Sequence, residues 1–185
     1  MPGYTRRCTA GLAVAALLAV AAPPAQADEL EDLLKAEFME RFTHFVDWPA
    51  DAFPSHDSPF VFCIVGESPI SPYLERLARD RRIKDRRAEA RHLRPGQDPG
   101  GCHMLLIGPD ERPRLHALLA RIGNRPVLTV SDAEGFAKEG VLINFYISED
   151  DRVRFEISSS EVKRSPLKIS AQLLRLARVA TGSGP

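Results

Sequence analysis

The sequence predicts an α/β sandwich with a mostly parallel central sheet, one antiparallel hairpin edge and helices on both faces. Three observations predict it. The short apolar runs "FVFCIVG", "CHMLLIG" and "PVLTVSD" read as strands buried on both faces. Helix-patterned segments alternate with these runs, which favours a parallel arrangement. "VLINFYI" and "RVRFEIS" flank "SEDD" and read as an antiparallel hairpin at the sheet's edge.

Before the fold comes a leader. Arg6 and Arg7 precede the apolar run Gly11 to Ala22, which is too short to span a bilayer comfortably, and "AQA" ends at Ala27. This is the pattern of a secretory signal peptide over residues 1–27, cleaved before Asp28. Residues 28–185 then form one domain, long enough to bury a full core. No second apolar stretch has the length of a membrane span, so the exported product is expected to be soluble.

The elements follow in order. Leu34, Phe38, Phe42, Phe45 and Trp48 recur every three or four residues, the spacing of one helix face. Pro49 disfavours the helical conformation at Trp48, so the helix is expected to end there. Pro54 and Pro59 break a loop before Phe60 to Gly66, the first strand. Ser71 as N-cap and Pro72 open a helix with Leu74, Leu77 and Ala78 inward. "RRAEARHL" alternates as an outer strand would. Cys102 to Gly108 is the next buried strand, and a helix with Leu115, Leu118, Leu119 and Ile122 inward stops at Gly123. Pro126 to Asp132 is the third buried strand, and the hairpin follows. A closing helix is expected over Leu167 to Ala180, with Ile169, Leu173, Leu176 and Ala180 facing the core; "TGSGP" reads as a loose tail.

Charge and cysteine usage narrow the function classes. Arg6 and Arg7 are the only charged residues of the leader, so the exported chain loses two of its 25 cations and keeps all 25 anions. That balance argues against a nucleic-acid partner. Cys8 leaves with the leader. Cys63 and Cys102 remain, an even number in an oxidising compartment, and predict a disulfide, the alternative being two buried free thiols.

No pattern of catalytic chemistry emerges. His44, His56, His92, His103 and His116 lack the spacing of metal ligands, so neither a metal nor a cofactor is expected. "GESPIS" is not a nucleophile elbow, and Cys63 sits mid-strand, a poor place for a reactive thiolate. Gly66 and Gly108 lie at strand-to-helix turns, which can hold anions or serve only to make the turn tight. If the sheet is open, the crevice at its carboxyl ends gathers Gly66, Glu67, Ser68, Ser131 and Asp132, a candidate ligand site. The cation-rich run from Arg76 to Arg94, partly neutralised by Asp80, Asp85 and Glu89, reads as a solvated face or as a contact for anionic lipid headgroups or an acidic partner.

Taken together, "FTHFVDWP", "FCIVGESP", "CHMLLIG", "PVLTVSDAEGFAKEGVLINF", "VRFEIS" and "LKISAQLLRLARV", in this order behind a leader, resemble the YfiR family of periplasmic regulators. The resemblance runs from about Leu33 to Val179. It implies a non-catalytic repressor that binds the periplasmic sensor region of an inner-membrane diguanylate cyclase. Repression would lower cyclic di-GMP and biofilm formation. An outer-membrane Pal-like lipoprotein as a second partner and a homodimer are implied in the same way. The family's recurring disulfide falls on Cys63 and Cys102; a second one found in some members has no cysteines here. Glu139, Ser158 and Ala171 depart from the family's common residues. The alternative reading is a periplasmic small-ligand sensor serving a histidine kinase or a transporter. Partner contacts are expected at the exposed edge of the first helix, near His44 and Trp48, and at the loop carrying Phe136.

Overall fold

The computed structural model describes residues 24–181. Residues 1–23 of the expected leader and 182–185 of the expected tail lie outside the described residues. In chain order the elements are α1 (Pro24–Phe45), β1 (Val46–Asp47), a 3-10 turn (Ala50–Ala52), β2 (Phe60–Val65), α2 (Ser71–Asp80), β3 (Arg82–Ile83) and β4 (Arg86–Leu93). Then come β5 (Met104–Ile107), a 3-10 segment (Pro109–Arg114), α3 (Leu115–Ile122), β6 (Leu128–Ser131), β7 (Ile143–Ile147) and β8 (Val153–Ser158). The chain closes with α4 (Ser159–Arg164), β9 (Lys168–Ile169), α5 (Ala171–Leu176) and β10 (Arg178–Ala180).

Eight strands make the main sheet in the order β10-β8-β7-β6-β5-β2-β4-β3, and β1 pairs with β9 in a separate two-stranded ribbon. β4, β2, β5, β6 and β7 run parallel to one another. β8 turns back antiparallel against β7, and β10 runs parallel to β8. This is the expected architecture: a mostly parallel sheet with an antiparallel hairpin toward one edge.

Strand alternation splits the core into two layers, because successive side chains point to opposite faces. Phe60, Phe62 and Ile64 of β2 join Met104, Leu106, Val130, Phe145 and Ile157 on the face covered by α1, α2 and α5. Val61, Cys63 and Val65 join Leu105, Ile107, Leu115, Leu118 and Phe136 on the other, under α3. Phe42 of α1 is fully buried, with ring centroids 5.7 Å from Phe145 and 5.0 Å from Phe155. Burial of one such ring contributes about 1.5–3 kcal/mol.

The structure corrects three local expectations. Helix α1 ends at Phe45 rather than at Trp48, and Leu34 is exposed rather than part of the buried stripe. The reason is tertiary: Ser170 N–H donates to the Phe45 carbonyl, and Val46–Asp47 pairs with Ile169 and Lys168. Ser71 is the first residue of α2, with Ile70 in the capping position. Most clearly, the helix expected over Leu167 to Ala180 is divided into β9, α5 and β10. Ser170 caps α5, its hydroxyl accepting from Leu173 N–H. Leu176 is exposed, while Leu173 and Ala180 are buried as expected. Pairing of β10 with the open edge of β8 satisfies backbone groups that a continuing helix would have left unpaired at that edge.

Candidate functional site

The carboxyl ends of β2, β5 and β6 lie side by side, as the crevice reading requires. Their loops, however, close on one another. Gly66 has φ +77°, and a Cβ there would stand 2.3 Å from Asp110 Oδ1. A Cβ on Gly108 would stand 2.4 Å from the Glu67 carbonyl oxygen. Glu67 N–H donates to Asp110 Oδ1 at 2.8 Å. Ser68 Oγ accepts from Ile70 N–H, and Ser131 Oγ donates to the Ile107 carbonyl at 2.7 Å while accepting from Ala133 N–H. The two glycines are thus needed for close packing, and the hydroxyls of Ser68 and Ser131 are engaged internally.

Asp132 belongs to a different constellation. Its Oδ2 receives Lys35 Nζ at 3.0 Å, and the same ammonium lies 2.6 Å from Glu31 Oε1 and 3.7 Å from Asp32 Oδ1. Lys35 is 6% exposed. Burial opposes its charge, but the bonds to Glu31 and Asp132 outweigh it and hold the ammonium above its ordinary range. Burial raises the Asp32 carboxyl; Lys35 pulls the other way, and the neighbouring carboxylates add to the rise. The cluster pins the amino-terminal half of α1 to the end of β6.

At the opposite end of the parallel strands, Cys63 and Cys102 are joined in a disulfide, Cα atoms 5.7 Å apart. His103 follows directly. Its Nδ1 accepts from Val61 N–H at 3.0 Å, which leaves the proton on Nε2, 3.1 Å from the Ala52 carbonyl. Burial pushes this imidazole below its usual range; the Ala52 bond opposes that, and Arg86 and Arg91 reinforce it.

A family model described as YfiR/HmsC-like matches residues 32–178. The chain belongs to the YfiR/HmsC-like family. That family comprises periplasmic regulators of diguanylate cyclase. None of the curated proteins compared matches the chain. The matched YfiR/HmsC-like region starts within the Lys35 cluster, at Asp32, and ends at Arg178, the first residue of β10.

For a YfiR/HmsC-like protein the partner surface is the question, and the three residues expected there divide. His44 is exposed, its Nε2 3.1 Å from Glu40 Oε1. Trp48 is 8% exposed: its Nε1–H donates to the His103 carbonyl and its ring meets Phe60 edge-on at 5.0 Å. Phe136 is wholly buried, with the Arg112 guanidinium 4.5 Å from its ring centre. Of the residues expected to meet a partner, Trp48 and Phe136 thus expose little or nothing of their side chains in this structure. Each has the size and shape that a core position needs, and the core took them.

Sequence reasoning passed over Lys35, Asn144 and Glu156, all buried polar residues. The signal was present. Asn144 and Glu156 stand between apolar neighbours in "LINFY" and "RFEIS", where strand alternation sets them on one shared face. Among the described residues no helix is long and apolar enough to cross a membrane, and no three His, Cys, Asp or Glu side chains group as metal ligands.

Proposed function

We propose that the chain is a periplasmic, non-catalytic regulator that binds the sensor region of an inner-membrane diguanylate cyclase and represses it. Cyclic di-GMP and biofilm formation fall as a result. The YfiR/HmsC-like match over residues 32–178 carries this reading. The leader over residues 1–27 is read as the export signal. A homodimer, and an outer-membrane Pal-like lipoprotein that relieves repression, complete the proposal.

Physically, such a regulator acts by binding one state of the cyclase more tightly than the other; a preference of about 5.5 kcal/mol would convert a 1:99 population into 99:1. We place the contact on the outward stripe of α1. Leu30, Leu34, Arg41 and His44 follow one another at helical spacing, and all are exposed. Leu30 and Leu34 are 57% and 42% exposed, an apolar pair of the kind that a partner covers.

Deleting the gene should raise cellular cyclic di-GMP, and the purified chain should bind the cyclase's periplasmic region. Unchanged cyclic di-GMP in a strain that carries the cyclase overturns the reading. A second reading, a small-ligand sensor for a histidine kinase or transporter, is favoured by the open groove beside Asp132. The two separate on whether the chain binds the cyclase without any added ligand.

A further inference from the structure

Ser131, Asn144, Glu156 and Arg178 form a polar row across β6, β7, β8 and β10. The strand register pairs Ser131 with Asn144, Asn144 with Glu156, and Glu156 with Arg178. Their strand neighbours Ile143, Phe145, Phe155 and Ile157 point into the aromatic core on the opposite face. A groove of about 460 Å³ runs along the row, lined by Asp132, Lys138, Asn144, Tyr146, Glu156 and Arg178 among others. Of the residues expected in the crevice, Asp132 lines this groove, while Gly66, Glu67 and Ser68 do not.

Two acceptors beside this groove receive no donor from the described residues: one is buried, and the other keeps access to solvent. Asn144 is 1% exposed, and its Nδ2 donates to the Phe145 carbonyl at 3.2 Å. Turning the amide over would set Oδ1 against that carbonyl, which disfavours the reverse orientation. Oδ1 is buried and receives no hydrogen bond. A buried acceptor left this way is costly and uncommon. Glu156 is 5% exposed, and Arg178 Nε and Nη2 both donate to its Oε2, at 3.1 and 2.6 Å. Among the described residues, Oε1 receives no donor. The Arg178 guanidinium is itself held in place, 3.8 Å from the centre of the Tyr146 ring. Lys138 stands exposed on the rim and bonds to neither acceptor.

Directly opposed residues of an antiparallel pair have Cβ atoms about 4.5–5.5 Å apart. Asn144 and Glu156 are such a pair, and both line the groove, so their side chains leave the sheet at one place along it. A group that meets both must donate at least two hydrogen bonds; Asp132 is already paired with Lys35 and Glu156 with Arg178, so a cation is selected by the two acceptors themselves, one of them a carboxylate oxygen, and not by the net charge of the groove. A primary ammonium has three donors and one positive charge. A hydroxyl supplies one donor, and a quaternary ammonium or a carboxylate supplies none. We propose that the groove binds a small primary amine, its ammonium held between Asn144 Oδ1 and Glu156 Oε1. This does not depend on the partner surface of α1.

The test uses the full chain with its disulfide intact, titrated with putrescine and with propylammonium by calorimetry and by NMR. Tetramethylammonium at equal ionic strength is the control cation without donors. Saturable binding of both primary amines is expected, with movement of the Asn144 side-chain amide resonances, and none with tetramethylammonium. Glu156→Gln and Asn144→Leu should each weaken the binding at least tenfold. If Asn144→Leu does not fold, the wild-type NMR titration decides alone. The proposal fails if neither amine saturates, if tetramethylammonium binds equally well, or if amines bind while the Asn144 amide stays still.

Discussion

Trp48 Nε1–H donates to the carbonyl of His103 across 3.0 Å, linking two residues 55 positions apart. The bond ties the chain just after α1 to the chain just before β5. The imidazole of the same histidine holds Val61 and Ala52, and the next residue back, Cys102, is bonded to Cys63. The amino ends of β2 and β5 are thus fastened by a buried polar strap rather than by apolar packing alone.

Trp48→Phe should keep ring bulk but lose the donor, costing about 1–2 kcal/mol of stability by urea denaturation. Trp48→Ala should cost about 3–5 kcal/mol. A variant of unchanged stability that no longer bound the cyclase would instead return Trp48 to the partner surface.

His103 should make stability pH-dependent. Burial depresses its folded-state pKa below the unfolded value of 6.5. The unfolded chain therefore binds the extra proton first, and stability is lost as pH falls from 6.5 through the folded pKa. Above 6.5 the contribution is complete and level. Urea midpoints between about pH 8 and pH 5 should show this slope, and His103→Gln should flatten it in that window.

Cys63 and Cys102 are 39 positions apart, and closing a loop of that length removes about 4 kcal/mol of unfolded-chain entropy. The Cys63→Ala/Cys102→Ala variant should lose stability of that order. Because the effect acts on the unfolded state, its denaturant slope should also rise.

Phe136→Ala should cost about 3–5 kcal/mol, since the ring is wholly buried. His44→Glu, on the exposed stripe of α1, sets a carboxylate against Glu40 in the helix's last turn, and should cost only about 1 kcal/mol of stability while weakening co-purification with the cyclase. Measuring melting temperature and co-purification on both variants separates core from contact. If His44→Glu leaves binding intact, the α1 stripe is not the partner surface.

Much of the fold was legible because its signals are local. Phe60–Val65, Met104–Ile107 and Leu128–Ser131 announce buried parallel strands by continuous apolarity, and Ile143–Ile147 with Val153–Ser158 announces a hairpin. The candidate site was less legible. Gly66 and Asp132 do fall at the carboxyl ends of β2 and β6, on either side of β5, but whether that space is open depends on Asp110 and Lys35, remote in sequence. Trp48 and Phe136 could not be assigned to core or contact, since an aromatic serves either place equally well.

By itself, the sequence determined the order of the main strands and of α1, α2 and α3, the two-faced burial of the sheet and the pair of cysteines available for bonding, because periodicity and residue type act over a few neighbours. The tertiary structure decided where α1 ends, how Leu167 to Ala180 divides, which aromatics are covered and which polar groups face the groove. Those outcomes turn on hydrogen bonds and packing between residues far apart in the chain. Val46 against Ile169, Lys35 against Asp132 and Glu156 against Arg178 meet only once the sheet has formed.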